Sequence, residues 1–174
     1  MAALRPVPVA GHGIRRATRD DAAALYVLWS RAREHNARID PRIVLRPVSP
    51  EEFADALAAQ LGRESSVVFV SDGGPGGLRG FISGSIEAAQ PDRVPERHAT
   101  IGYLWVEPQW RRQGIASALV GELRRWAAAL DGIRHLEMPV LAADSAAVHF
   151  WQALGFRPFI TRLWSPLEPE EDAP

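Results

Sequence analysis

The residues best suited to bind a charged ligand in this chain lie in a short basic segment that ends at Gly114. A strand-like run stops before Pro108, Arg111 and Arg112 follow, and Gly114 opens an amphipathic helical pattern. The first N–H groups of a helix lack backbone partners, and the helix dipole adds about +0.5 of a charge at this end. Glycine lets the backbone approach a ligand, and the two arginines supply full positive charges. The segment therefore predicts a site for a di-anion such as a pyrophosphate.

Other kinds of phosphate loop do not fit this segment. A Walker loop needs a lysine, and the chain contains none. A dinucleotide fingerprint needs three glycines, whereas one glycine lies between strand and helix here. The small residues Ala116 and Ser117 leave room for a ligand in the first helical turn. Spacing alone is equally compatible with an ordinary strand–loop–helix connection whose arginines are solvated.

Two motifs together resemble a known family. Arg111-x-x-Gly114-x-Ala116 resembles the Q/R-x-x-G-x-G/A signature of the GNAT superfamily, whose members are acetyl-CoA-dependent N-acetyltransferases. Later in the chain, the family pattern N-x-x-A-x-x-F-Y-x-x-x-G-F is matched by Asp144-x-x-Ala147-x-x-Phe150-Trp151-x-x-x-Gly155-Phe156. The order of the motifs and the pattern of elements over residues 14–163 are also similar to the family. We therefore expect a GNAT-type acetyltransferase that uses acetyl-CoA as its co-substrate.

The resemblance implies where coenzyme A binds. In the family the loop amides hold the pyrophosphate, and the preceding strand has a bulge or splay whose backbone pairs with the pantetheine arm. By resemblance Leu104 and Val106 offer that backbone, and the Val106 N–H polarises the thioester carbonyl. The expected cofactor-binding residues are Leu104, Trp105, Val106, Arg111, Arg112, Gln113, Gly114, Ile115, Ala116, Ser117, Asp144, Ala147, Phe150 and Trp151. No metal is expected in the site.

Three positions depart from the family pattern. Asp144 replaces the usual asparagine, and an ionised carboxylate accepts hydrogen bonds but donates none. Asp144 either contacts the pantetheine arm or only caps its helix. Trp151 replaces a tyrosine that often protonates the leaving thiolate, and Thr100 replaces a glutamate that serves some members as base. These differences leave the catalytic acid and base open.

Three side chains are the main candidates for proton transfer. Tyr103 belongs to the strand expected to line the cleft, His98 lies on the same strand face as Thr100, and Glu137 belongs to the neighbouring predicted strand. Glu87 is a further alternative. A base or a water relay is needed because a substrate ammonium with a pKa near ~10 must lose a proton before attack. Each of these side chains also has an ordinary structural interpretation.

Hydrophobic periodicity predicts an α/β (α+β) fold in the order β-α-α-β-β-β-α-β-α-β. The resemblance adds a mixed central sheet of about six to seven strands with helices on both faces. The predicted strands are 14–17, 67–71, 80–88, 100–106, 136–140 and 156–163. The predicted helices begin at Thr18 or Asp20, at Ser49-Pro50, at Gly114 and at Asp144, where helix-start signals precede apolar spacing.

Composition limits the classes of protein that the chain can form. Its 174 residues suit one domain at 14–165, with an N-terminal extension at 1–13 and an acidic, proline-rich tail at 166–174. The lack of cysteine excludes disulfides, thiolate metal ligands and a thiol nucleophile. The net charge of -1 predicts neither a nucleic-acid nor a membrane partner, and no segment approaches the ~20 apolar residues of a membrane helix. We expect a cytoplasmic protein.

Two functions agree with these observations. The first is transfer of an acetyl group from acetyl-CoA to a primary amine of a small molecule or peptide, by direct attack in a ternary complex. The alternative is a non-catalytic acyl-CoA-binding or regulatory domain, which the departures at Trp151 and Thr100 favour. The segment 36–47 has three arginines, which suit either an acceptor with a carboxylate or phosphate or an ordinary solvated loop. Family analogy and the large side chains of Trp110 and Trp164 suggest a homodimer.

Overall fold

The computed structural model describes residues 13–167, so the predicted N-terminal extension at 1–13 and tail at 166–174 lie outside the described residues except at their inner ends. This range contains five strands and four α-helices. The strands are β1 (Ile14–Arg16), β2 (Ser66–Asp72), β3 (Leu78–Ala88), β4 (Arg97–Val106) and β5 (Leu136–Glu137). The helices are α1 (Ala22–Ile39), α2 (Pro50–Leu61), α3 (Ile115–Ala128) and α4 (Ser145–Ala153).

The strands form one mixed sheet in the order β1-β2-β3-β4-β5. Neighbours from β1 to β4 pair antiparallel, whereas β5 runs parallel to β4. The register of β3 and β4 joins Gly80 to Val106 at one end and Ala88 to Arg97 at the other. Strand β4 therefore has two different edges, one paired by β3 along its length and one paired only briefly by β5.

Helices cover both faces of this sheet. Leu119 and Leu123 of α3 are fully buried with Ile82 of β3 in the core of one face. Leu25 of α1 and Leu57 of α2 belong to the core of the opposite face. The predicted mixed α/β architecture with helices on both faces is confirmed, because each sheet face carries an apolar set that matches an apolar helix face.

An irregularity in β4 changes which residues face which helices. The register shifts so that Ser83 pairs with Tyr103 but Gly84 pairs with Ile101, which leaves Gly102 as an extra residue. An extra residue of this kind is a β-bulge, and it reverses the alternation of side chains beyond it. As a result Ile101 packs towards α3, whereas Tyr103 packs towards α1 and α2.

The C-terminal part of the predicted sheet is smaller than the sequence pattern indicated. The strand predicted at 136–140 is shorter in the structure and is confined to β5, since Pro139 falls within the predicted span and has no N–H to donate to a neighbouring strand. Residues 156–163 were predicted to form a last strand but have no strand structure, so the described sheet has five strands and not six to seven. Pro158 removes a ladder donor there, and so short a β5 offers almost no backbone to pair with.

An ion cluster joins the first strand to its surroundings. Arg15 donates two hydrogen bonds to Asp21, each at 2.8 Å, and a third to Asp72 at 2.8 Å. Asp21 precedes α1 and Asp72 ends β2, so one guanidinium fastens three elements. The hydrogen bonds from Arg15 hold the pKa of Asp21 below its ordinary range.

None of the helices in the described residues combines the length and the apolar character that crossing a bilayer requires.

Candidate active site

A gap beside β4 exposes part of its backbone. Strand β5 pairs with β4 only at Ala99 and Thr100. From Gly102 to Val106 this side of β4 has no partner strand among the described residues, and we call it the open edge. An open strand edge presents unpaired N–H and C=O groups, to which an extended ligand with amide groups can add as a further strand. The open edge therefore suits a ligand with a peptide-like arm.

The backbone N–H groups of Leu104 and Val106 point into this gap. On the other side of β4, the Tyr103 N–H donates to the Ser83 hydroxyl of β3 at 3.0 Å, and the Glu107 N–H donates to a β3 carbonyl at 2.9 Å. Since backbone groups alternate sides along a strand, the N–H groups of Leu104 and Val106 face the open edge. Both residues were predicted from the sequence to offer backbone here.

The loop after β4 curls into the start of α3, and we call residues 108–114, for which the sequence predicts an anion site, the phosphate loop. A 3-10 turn over Pro108–Trp110 is followed by positive φ angles at Arg112 (62°) and Gly114 (83°). Such alternation of backbone hand gathers N–H groups into a concave, anion-binding arrangement. Gly114 offers no side-chain cap, and the Ala118 N–H makes the first backbone bond, to the Gly114 carbonyl at 2.9 Å. The N–H groups of residues 115–117 are thus left without an intrahelical partner.

The two arginines of this loop have different surroundings. The Arg111 Nε donates to the Val106 carbonyl at 2.9 Å, and its guanidinium lies 4.7 Å from the centre of the Trp105 ring. Arg111 therefore fastens the loop to the end of β4. The Arg112 side chain is exposed and belongs to no ion pair within the described residues, so its charge can contact an anion at the helix start. Gln113 is also exposed, and its amide donates to a carbonyl four residues earlier at 3.3 Å.

The start of α4 faces the same region. The Asp144 carboxylate accepts from the Ala147 N–H at 2.9 Å, which confirms the predicted helix cap. Its second oxygen lies 3.6 Å from the His35 Nε2 of α1. Asp144 therefore links α4 to α1 across the end of the sheet that carries the phosphate loop.

The aromatic residues of the second motif lie in the core. Trp151 is 5% exposed, and its ring centre lies 5.1 Å from that of Phe150 and 5.0 Å from that of Phe156. Phe150 and Ala147 are half-buried against the same core. An indole N–H is not a usable acid, and these contacts assign Trp151 to packing.

An apolar pocket of about 320 Å³ lies between the helices α1 and α2 and the strands β3 and β4. Trp29 of α1, Phe53 of α2 and Phe81 of β3 contribute to its walls. It reaches Gly102 and Tyr103, the bulge of β4 and the residue that follows it. The pocket therefore approaches β4 where the open edge begins.

The other two proton-transfer candidates lie together at the far end of β4. The Glu137 carboxylate lies 3.6 Å from the His98 Nε2 and 3.0 Å from the His135 Nε2. The sequence interpretation missed His135, although its i, i+2 spacing from Glu137 predicts that the two side chains share a strand face. The donor atoms of the three residues lie within 4.8 Å of one another, a set that also suits a divalent metal ion. His98 is four residues, or roughly 13 Å of strand, from Gly102. Of the three candidates, Tyr103 alone lines the pocket.

A buried carboxylate at the end of β4 has no counterpart in the sequence-based hypotheses. Glu107 is 5% exposed and forms an ion pair with Arg31 of α1. This contact fixes the end of β4, and so the loop that follows, against α1. The partners are separated by 76 residues, and no local pattern signals such a pair.

Two of the three arginines of the segment 36–47 pair with carboxylates, whereas the Arg38 Nε donates to the Glu34 carbonyl at 3.3 Å. Arg42 pairs with Asp40, and Arg46 pairs with Glu52 at the start of α2. These contacts favour the ordinary-loop interpretation over recognition of an anionic acceptor.

Comparison with known families and structures gives a consistent result. The family model described as the acetyltransferase (GNAT) family matches residues 23–156, which include both motifs. No curated protein matches the chain.

Solved structures share the fold over nearly its whole length. A mutant of a Bacillus halodurans protein is 20% identical, with a TM-score of 0.74, and the match covers 89% of this chain and 99% of that one. An aminoglycoside N-acetyltransferase in complex with CoA is 18% identical, with a TM-score of 0.69 and coverage of 92% and 98%. The glucosamine-6-phosphate N-acetyltransferase of Arabidopsis thaliana is 15% identical, with a TM-score of 0.65 and coverage of 89% and 97%. At such identities the likeness establishes the fold.

Proposed function

Since the chain belongs to the GNAT acetyltransferase family, we propose that it transfers an acetyl group from acetyl-CoA to a primary amine of a small molecule or peptide, with both substrates bound together. The observation that carries this proposal is the open edge of β4, which leads directly into the positive-φ loop before α3. The edge can pair with the amides of a pantetheine arm, and the loop can hold a pyrophosphate. The two surfaces follow one another in the order that coenzyme A requires.

The residues that would hold coenzyme A follow from this geometry. The N–H groups of residues 115–117 and the Arg112 guanidinium face the pyrophosphate, and the Val106 N–H pairs with the arm. The Leu104 N–H lies beside Tyr103 and the pocket, and we assign to it the polarisation of the thioester carbonyl. The sequence-based hypothesis gave this role to Val106. A fixed N–H that faces a developing oxyanion contributes about 3–4 kcal/mol in well-studied enzymes.

The reaction is a direct substitution at the thioester carbon. The amine nitrogen forms a bond to that carbon, the carbon–sulfur bond breaks, and the thiolate takes up a proton. Tyr103 is the candidate donor, because its side chain lines the pocket and its hydroxyl makes no hydrogen bond within the described residues. The proton lost by the amine passes to solvent water, and solvent water returns a proton to Tyr103. A thiolate with an ordinary pKa near ~8.5 is a tolerable leaving group, so the donor accelerates the step without being obligatory.

A second candidate function is a non-catalytic acyl-CoA-binding domain. The observation that favours it is the lack of any carboxylate or histidine among the described residues that line the pocket. The activities named for two structural neighbours, acetylation of aminoglycosides and of glucosamine 6-phosphate, support an amine acceptor instead.

Two measurements on the full chain test the proposal. Calorimetric titration with acetyl-CoA, with dephospho-CoA and desulfo-CoA as controls, is expected to give micromolar affinity. Release of free CoA thiol is then followed with a panel of primary amines. Failure to bind CoA would contradict the whole assignment, and binding without transfer to any amine would favour the non-catalytic domain.

A further inference from the structure

We propose that the acceptor is an amine attached to an apolar, preferably aromatic, group with no further positive charge. This inference rests on the proposed acetyl transfer, because it takes the pocket beside the bulge of β4 as the acceptor site. It concerns the chemistry of the pocket walls, which is a property of this chain.

The pocket walls are apolar and aromatic over most of their surface. The rings of Trp29 and Phe53, on neighbouring helices, have centres 4.9 Å apart and planes inclined at 39°. Phe81, Leu25 and Leu57 also contribute to the walls. A volume of about 320 Å³ accommodates a small aromatic molecule. Burial of an aromatic ring against such walls is favoured both by the area removed from water and by ring–ring contact.

The polar groups of the pocket are neutral and few. They are the Gln60 amide, the Ser83 hydroxyl and the Tyr103 hydroxyl, and no described residue that lines the pocket is charged. Tyr103 belongs to the open edge, where an attacking nitrogen has to be, and Ser83 lies opposite it on β3. An apolar molecule with a single amine can therefore place the amine beside these polar groups near β4, while the rest of the molecule contacts the apolar walls.

The pocket walls offer no counter-charge to a polycation. The Arg33 guanidinium lies 4.3 Å from the centre of the Trp29 ring. The nearby Glu52 carboxylate already interacts with Arg46 and Arg33. An ammonium that enters an uncharged cavity loses its hydration without gaining a counter-ion. The pocket consequently selects the unprotonated amine, and a second or third ammonium group has no carboxylate to meet.

A panel of amines tests this selection in the wild-type protein. Values of kcat/KM are measured for 2-phenylethylamine, butylamine, spermidine and an aminoglycoside, each compared at equal concentration of the unprotonated amine. We expect 2-phenylethylamine to exceed butylamine by about tenfold and both polycations by more. Equal rates across the panel, or a preference for spermidine or the aminoglycoside, would overturn the inference while the proposed acetyl transfer stands.

A pair of matched variants on α2 tests the role of charge. Ala56 is exposed and lines the pocket, whereas Ala59 is exposed on the same helix and is not part of the lining. Ala56→Asp adds a carboxylate at the rim and is expected to raise the kcat/KM ratio of spermidine to 2-phenylethylamine at least fivefold. Ala59→Asp carries the same helix penalty and is expected to leave that ratio within twofold.

CoA affinity distinguishes a failure of the acceptor inference from a failure of the proposed acetyl transfer. Both variants are expected to bind CoA as the wild type does, since neither position belongs to the open edge or the loop. An unchanged ratio in Ala56→Asp, with CoA bound normally and amines acetylated, contradicts the acceptor inference alone. CoA binding without acetylation of any amine contradicts the proposed transfer and this inference together.

Discussion

Two adjacent arginines of the phosphate loop illustrate how one residue type serves two purposes. The Arg111 guanidinium is fixed by the Val106 carbonyl and the Trp105 ring, so this side chain holds the loop against the end of β4. Arg112 occupies a left-handed backbone conformation that is uncommon outside glycine, and its side chain is exposed. Such strain is tolerated where it shapes a binding site, which is consistent with a loop built around an anion.

Reversal of the charge at Arg112 tests that assignment. Arg112→Glu is expected to weaken CoA binding roughly tenfold, because one charge-assisted contact to the pyrophosphate is lost and a like charge replaces it. The loss should be equal for dephospho-CoA, which keeps the pyrophosphate. Calorimetric titration measures both affinities.

Arg63 provides the control for this substitution. It is exposed and precedes the first residue of β2. This end of the sheet holds the start of β4, whereas the phosphate loop follows the other end of β4. Arg63→Glu is expected to change CoA affinity by less than twofold. Equal effects of the two substitutions would indicate general electrostatics and not a contact at the loop.

At the scale of elements, the close approach of β3 and β4 determines where the loop begins. A Cβ atom on Gly80 would lie 2.6 Å from the Trp105 carbonyl oxygen and 3.2 Å from the Val106 Cα. Both atoms belong to the backbone and cannot move aside independently. The glycine therefore lets the two strands meet at the point where β4 leaves the sheet for the phosphate loop.

A pair of glycine substitutions measures this constraint. Gly80→Ala is expected to lower the free energy of unfolding by about 1–3 kcal/mol, because the added methyl group forces the strands apart. Gly121→Ala in α3 has open space around its Cβ and is expected to raise the same quantity by about 0.5–1 kcal/mol through helix propensity. Denaturant unfolding compares both variants with the wild type. Wild-type stability in Gly80→Ala would show that the strands adjust freely.

At the scale of the whole molecule, the Arg15 cluster makes stability depend on pH. Hydrogen bonds from Arg15 lower the pKa of the Asp21 carboxyl in the folded chain. A group whose pKa is lower when folded stabilises the fold at any pH above its unfolded value, near ~4, and this contribution disappears as pH falls through the folded pKa. The cluster therefore predicts acid sensitivity below about pH 4.

Removal of the Asp21 charge tests this dependence. Asp21→Asn is expected to be less stable than the wild type at pH 7, and the difference should shrink as pH falls below about 4. Asp20→Asn, at an exposed neighbour that forms no ion pair in the described residues, is the matched control. Thermal unfolding between pH 7 and pH 3 follows both variants. A difference that stays constant over this range would exclude the carboxyl of Asp21 as its source.

The C-terminal segment gives the molecule an apolar surface. Phe159 and Leu163 are 70% and 88% exposed, and Trp164 is exposed beside them. Trp110, by contrast, is half-buried, and the Arg79 guanidinium lies 4.6 Å from the centre of its ring. The homodimer stays a prediction, and the exposed segment is the surface at which a contact is expected.

Signals that act over a few residues were sufficient to predict much of this protein. The Ser49 hydroxyl accepts from the Glu52 N–H at 3.1 Å and Asp144 accepts from the Ala147 N–H at 2.9 Å, as their capping positions indicated. The glycine-led start of α3 also follows from local order along the chain, whereas the backbone role of Leu104 and Val106 towards coenzyme A stays a prediction. Caps, helical spacing and loop motifs depend on neighbours in sequence, so the sequence by itself determined the helix starts, the strand–loop–helix connection at Gly114 and the family.

Contacts between distant segments decided the rest. The sequence does not specify that β5 pairs with β4 over two residues only, and the open edge exists because of that short pairing. The resemblance implies a bulge or splay in β4 but does not place it at Gly102, where it turns Tyr103 into the pocket. The burial of Glu107 against Arg31 has no signal in the sequence. The strand predicted at 156–163 failed for the same reason, since a strand needs a partner as well as a pattern. Pairing and burial depend on the whole chain, and the tertiary structure alone brought the open edge and the pocket together.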